Sequence, residues 1–163
     1  MEPDTLRSRP LCVVDIRLDD DAPLALGKSP FRNRRVSYIA GGEVEGERLR
    51  GEVLPGGGDW SELGPGPDGA ALTLIDVRSI WKTHDGAMIY VTYGGRLVIP
   101  ADVLPAFRDP AQVEGLSEDS YYFRIQPVFE TADDRYGWLN ATVAVGVGKR
   151  TAAGVRYRIF SLE

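Results

Sequence analysis

Cysteine and histidine occur once each in this 163-residue chain, as Cys12 and His84. A lone thiol cannot close an internal disulfide and suits a reducing compartment, so the cytoplasm is the expected location. One histidine, one cysteine and scattered acids offer no zinc or calcium ligand set, and no tightly held metal is expected. Long apolar runs are missing too. Nothing approaches the ~18 residues of a spanning helix, and the stretch 11–18 is broken by Asp15 and Arg17, the wrong form for a secretion signal. Basic charge is also short: 19 Lys and Arg stand against 24 Asp and Glu, a net charge of −5. With no sequence-wide positive field, nucleic acid and membrane surfaces are not expected partners.

Turn-forming residues are plentiful. The 19 glycines and 11 prolines exceed their usual combined share of about 12%, while 43% of residues are hydrophobic, which describes a folded, turn-rich chain. Its length fits one domain spanning residues 1–163, large enough to bury a core without staples. Apolar positions alternate, which predicts strands. These are expected at 11–18 (Cys12, Val14, Ile16 and Leu18 on one face), 35–40, 49–54, 72–82, 87–93, 97–99, 121–130, 136–147 and 155–162. Gly41-Gly42 is expected to turn, followed by a ribbon at 44–47, and Asp19-Asp20-Asp21 to form a solvated loop. Asp85-Gly86 between alternating runs predicts an antiparallel hairpin, since both residues tolerate positive φ. One brief helix is expected after Asp109, with Pro110 in its first turn and Gly115 at its end. The fold class is therefore all-β: a single antiparallel β-barrel of about eight to ten strands with one short helix, or a sandwich, closure being attractive because it removes exposed sheet edges.

Three side-chain pairs recur at a spacing of two, which in a strand places both members on one face: Asp76 with Arg78, Tyr122 with Arg124, and Trp138 with Asn140. Val77, Phe123, Ile125 and Leu139 fall on the other face. On one reading the apolar face fills the core and the pairs decorate the surface, Asp76 and Arg78 forming a weak exposed salt bridge. On the other, a face carrying Trp, Tyr, Arg, Asp and Asn turns inward, so that Asp76, Arg78, Tyr90, Arg124, Trp138 and Asn140 line one cavity and the apolar outer face takes a partner subunit. Pro55-Gly56-Gly57-Gly58-Asp59-Trp60 reads either as a loop over the barrel mouth, presenting an acid and an indole, or as a flexible turn with Trp60 packed against the barrel end. His84 beside Asp85 has the makings of a general base, but a hairpin turn favours exposure. Cys12, among valines, reads as a small buried hydrophobe. The string 146–151 fails as a phosphate loop because Val143 stands where a glycine belongs and Arg150 where Ser or Thr must follow Lys149.

The strings Gly57-Gly58-Asp59-Trp60, Asp76-Val77-Arg78, Asp85-Gly86-Ala87-Met88-Ile89-Tyr90 and Trp138-Leu139-Asn140 together resemble domain-of-unknown-function family 3237, also called uncharacterised protein family 0311, over about residues 11–162. The resemblance implies a soluble antiparallel β-barrel without an established activity. It marks Asp59, Trp60, Asp76, Arg78, Asp85, Tyr90, Trp138 and Asn140 as signature positions, and Arg124 less securely. Departures are Ala141 after Asn140, where a basic residue is expected in relatives, and the longer loop at 64–67.

Two classes of function follow as expectations. One is a cofactor-independent acid-base enzyme of isomerase, cyclase or lyase type acting on an aromatic or carbonyl-bearing metabolite. In it Asp76 or Asp59 is the base, Tyr90 a proton donor, Arg78 and Asn140 stabilise a developing oxyanion, and Trp60 and Trp138 are stacking walls; Asp85 and Arg124 complete the ligand-binding set. The alternative is a non-catalytic protein, either a metabolite binder with Arg78 and Arg124 clamping an anion or a homo-oligomer, a homodimer or larger, with a filled lumen.

Overall fold

The structure, a computed structural model, describes residues 5–19 and 23–163. Among these residues there are ten strands: β1 (Ser8–Leu18), β2 (Leu24–Lys28), β3 (Asn33–Glu45), β4 (Gly51–Val53), β5 (Gly58–Pro65), β6 (Ala71–Thr83), β7 (Met88–Ile99), β8 (Tyr122–Glu130), β9 (Ala144–Arg150) and β10 (Gly154–Leu162). One short helix, α1 (Leu104–Arg108), follows β7. Every pairing is antiparallel, and β1 closes the sheet by pairing with β10 on one side and β3 on the other. A closed eight-strand barrel with two extra strands results: β4 and β5 follow one another in a single position between β3 and β6, and β2 pairs with β3 alone. No helix among the described residues is long and apolar enough to cross a membrane.

Alternation decides which side chains enter the lumen. On β6, Thr73, Ile75, Val77, Ser79 and Trp81 are buried and their neighbours are not; on β8, Phe123, Ile125 and Phe129 are buried while Tyr122 and Arg124 are exposed. The apolar row therefore fills the barrel and the polar row faces solvent. This reverses the inward reading of the spaced pairs and bears out the surface one. Eight strands enclose a lumen just wide enough for side chains to fill, so the apolar row gains most by turning inward.

Several local expectations change. Gly41 and Gly42 lie within β3, where Ala40 is an extra residue: Leu18 pairs with Ile39 and Arg17 with Gly41. This bulge moves the inward positions from Arg35, Ser37 and Ile39 to Val44, and Gly42 is needed because a Cβ there would meet Asp15 O at 2.2 Å. Gly56 and Gly57 sit in the wall between β4 and β5, both of which pair with β3 and β6, so the glycine-rich string bulges a strand and does not close a mouth. The brief helix comes earlier than Asp109, which instead accepts from Ala111 N (2.9 Å) at the start of a turn-rich segment. Residues Asp134–Ala141 form 3-10 turns where a strand was expected, initiated by the Asp133 side chain accepting from Arg135 N. Asp20 and Asp21 of the expected acidic loop lie outside the described residues. The hairpin at Asp85-Gly86 forms as expected, with Gly86 at φ +91°.

Candidate functional site

The lumen has two unlike ends. At the end carrying the β6–β7 hairpin, the 3-10 segment and the loop between β3 and β4, the barrel is filled. Trp81, Leu49, Ile89 and Leu139 are at most 2% exposed, and Trp81 meets Phe129 edge to face at 5.8 Å. Polar side chains tie this plug shut. Asp85 accepts from Thr83 Oγ1 (2.7 Å) and the Tyr136 hydroxyl (2.8 Å) and pairs with Arg135 (3.1 Å); these bonds and the guanidinium hold its carboxyl below the usual range. Asn140 Oδ1 accepts from Thr131 N and its Nδ2 donates to Thr131 O, both at 2.8 Å. Trp138, packed against the core, lies under the Arg48 guanidinium at 3.9 Å.

At the other end, where β3, β8 and β10 begin and β1 and β7 finish, the lumen opens into a cavity of about 260 Å³. Tyr93 and Tyr157 floor it, their rings 5.4 Å apart, with Phe123 edge-on to Tyr157 at 5.4 Å. Burial pushes both phenols upward, so they are neutral hydrogen-bond donors at neutral pH. Ile75, Val77, Leu97 and Phe107 supply apolar wall, and Arg35, Asp59, Arg108 and Arg150 the charge.

Asp59 is held by a defect in the sheet. β5 pairs with β6 at Asp59↔Val77 and again at Glu62↔Leu74, with no bridge between. Across this gap the Asp59 carboxylate accepts the Asp76 amide (3.1 Å), taking the place of a backbone carbonyl, while Arg34 Nη1 donates to the stranded Trp60 carbonyl (2.5 Å). Arg34 in turn meets Glu62 (3.3 Å), which also pairs with Arg32. Asp59 is thus fixed in place and turned toward the cavity. Burial raises its pKa, outweighing the Ser61 hydroxyl, the Asp76 amide and Arg35, which all favour its ionised form. A fixed carboxyl with a raised pKa, beside two neutral phenols and a guanidinium, can accept and return a proton.

The expected site residues divide accordingly. Asp59 lines the cavity. Asp76 and Arg78 lie outside the barrel as a 3.7 Å surface pair, each about half exposed; Tyr90 also points outward, and the Arg124 guanidinium covers the Tyr122 ring at 4.9 Å on the exterior. Trp60 faces out beneath Arg78, at 5.6 Å. Asp85, Trp138 and Asn140 belong to the plug. The single-cavity convergence therefore fails, because strand parity puts four of its members outside and the 3-10 segment removes the other two from any strand. His84 is exposed, and burial pushes the Cys12 thiol up to about 12. Besides Arg108 at the end of α1, the polar cavity residues not anticipated are Arg35, Tyr93, Arg150 and Tyr157, all on strands. Each shares parity with buried positions, as Arg35 does with Ile39 and Arg150 with Gly146 and Gly148. The available signal was a charged residue at the rim end of an inward row.

Comparison with known proteins agrees with this architecture. UPF0311 protein RPA1785 of Rhodopseudomonas palustris is 32% identical over 148 residues, 91% of each chain. Its crystal structure, described as a conserved protein of unknown function, covers 99% of this chain and 100% of its own at a TM-score of 0.86. A β-barrel like protein from Acinetobacter baumannii is 34% identical with a TM-score of 0.78 over 99% of both chains. An enzyme from Penicillium herquei shares the fold at 19% identity, with a TM-score of 0.64 over 100% of this chain and 98% of that one. The family model described as protein of unknown function, DUF3237, matches residues 7–162, and the chain belongs to that family.

Proposed function

We propose that the open end of the barrel binds a small aromatic or carbonyl-bearing metabolite and that Asp59 moves a proton on it. The observation that carries this reading is the Asp59 carboxyl, anchored by the Asp76 amide at the wall of a cavity and shifted upward by burial. The volume, about 260 Å³, lies near the lower bound of ligand pockets, roughly 300 Å³, and suits one substituted ring. As carboxylate, Asp59 takes a proton from carbon or hydroxyl. The oxygen on which charge develops receives hydrogen bonds from Tyr93 or Tyr157 and faces Arg35; returning the proton elsewhere on the same molecule completes an isomerisation or ring closure with atoms balanced. Such a transfer draws on the lining side chains alone.

Carbonyl and phenolic metabolites turned over by the wild type should lose about 100-fold or more in rate with Asp59→Asn, which keeps the size of the side chain. Undiminished turnover removes Asp59 from the chemistry. Binding of the same compounds without turnover by either protein favours a metabolite-binding role for the same cavity.

A further inference from the structure

Three guanidinium groups border the cavity, those of Arg35, Arg108 and Arg150, against the single carboxyl of Asp59. Among the described residues, none of the three makes an ion pair. Arg150 Nη1 donates only to neutral carbonyls, Thr151 O at 2.8 Å and Gly154 O, and no side-chain hydrogen bond holds Arg35 or Arg108. Their mutual field is repulsive: Arg108 disfavours the charge on Arg35, and Arg35 that on Arg150. Asp59 partly offsets Arg35, and Glu114 acts on Arg150 from outside the barrel, where it accepts from Ala152 N. Asp19 borders the neighbouring depression beside Arg150 and not this cavity.

Arg35 and Arg150 are half-buried and Arg108 is exposed at the rim; like charges are seldom gathered in this way without counter-charges, because a half-buried cation loses hydration and gains nothing in return. Among the described residues Asp59 is the one carboxyl lining the cavity, with Glu114 acting on Arg150 from farther off, and the apolar side chains Leu97, Phe107 and Phe123 stand next to the cluster. We propose that the natural ligand is an organic anion whose carboxylate or phosphate group is bound by Arg35 with Arg108 and Arg150, its apolar body lying between these side chains and the two tyrosines. The proposal rests on the open end being the ligand seat but not on Asp59 transferring a proton, so the two stand or fall by different measurements.

The probes are benzoate, phenyl phosphate and the uncharged benzamide, titrated against the intact protein by calorimetry or by amide chemical shifts. The expected result is that at least one anion binds about tenfold or more tighter than benzamide and that Arg35→Gln abolishes the difference. The better of the two anions identifies the oxyacid. A second readout needs no ligand: Arg35→Gln should raise the thermal midpoint of the free protein, because it removes an unpaired cation from the cluster. Equal binding of benzamide and both anions, no binding of either anion, an unchanged preference in Arg35→Gln, or a lowered midpoint for that variant overturns the proposal. If turnover still depends on Asp59 in that case, the acid-base reading survives without it.

Discussion

Asp59 and Asp85 are both hydrogen-bonded aspartates of one barrel, yet they titrate in opposite directions. Asp85, in the plug, faces outward into a hairpin turn and collects a hydroxyl, a phenol and a guanidinium while water still reaches it, so its charged form is favoured. Asp59, at the open end, accepts an amide and lies beside Arg35, yet is enclosed, and desolvation outweighs those contacts. The difference separates two uses of a carboxyl: a charge tied into a turn stabilises the fold, whereas a charge kept partly unsatisfied is available to a ligand. The tyrosines divide likewise. Tyr136 donates a hydrogen bond to Asp85 as a brace, while Tyr93 and Tyr157 hydrogen-bond to each other and line the cavity.

The largest expected effect lies in the plug. Leu139 has no exposed surface and packs where the 3-10 segment closes the barrel, so Leu139→Ala should cost about 2–5 kcal/mol in a denaturant titration. Ligand binding at the other end should persist below the lowered unfolding midpoint. Loss of binding at full stability, or a cost under about 1 kcal/mol, would break the division into a structural and a functional end.

The pH dependence of stability sharpens the same division. Because the folded pKa of Asp59 is raised, the native state holds a proton that the unfolded chain has released. Its contribution to stability is therefore greatest below the ordinary aspartate range, near 3.8, and declines as pH rises through the folded value. Asp85 is depressed, so its contribution is present above the ordinary range and is lost as pH falls through the folded value. Asp59→Asn should remove the decline on the alkaline side of that range and leave the acid-side loss. Removal of the acid-side loss by Asp59→Asn would reverse the assignment.

Much of the scaffold was legible because alternation and punctuation are local. Cys12, Val14 and Ile16 share the buried face, and Asp85-Gly86 turns a hairpin, as their neighbours alone dictate. Parity, however, says which side chains travel together and not which way they face. The Asp76 and Arg78 row has the polar and aromatic content of a pocket as well as the makings of a surface pair, and only the narrow lumen, which rewards the apolar row, decides for the surface. Arg35 and Arg150 escaped notice because an inward row is apolar along most of its length and polar only near the rim, a change that depends on where the closed barrel ends. The reach of the Asp59 carboxylate across the β5–β6 gap depends on a register that no local pattern encodes.

The smallest expected effect distinguishes the backbone of Asp76 from its side chain. Its amide anchors Asp59, and any residue but proline supplies that amide. Its carboxylate lies outside, in a 3.7 Å pair with Arg78 that is half exposed on both sides, an arrangement worth about 0–1 kcal/mol. Asp76→Asn should therefore fold and bind as the wild type does, with stability changed by less than about 1 kcal/mol. Through the wall, though, the Asp76 charge is one of the influences holding the Asp59 pKa up, the weakest of them. Removing it should move the Asp59 titration, followed by carboxyl carbon shifts, slightly toward lower pH, together with any pH profile of turnover that depends on that group. A large loss of rate in Asp76→Asn with the Asp59 titration unmoved would instead place chemistry on the outer face, among Asp76, Arg78 and Tyr90, and would make the open end a passive feature of the barrel.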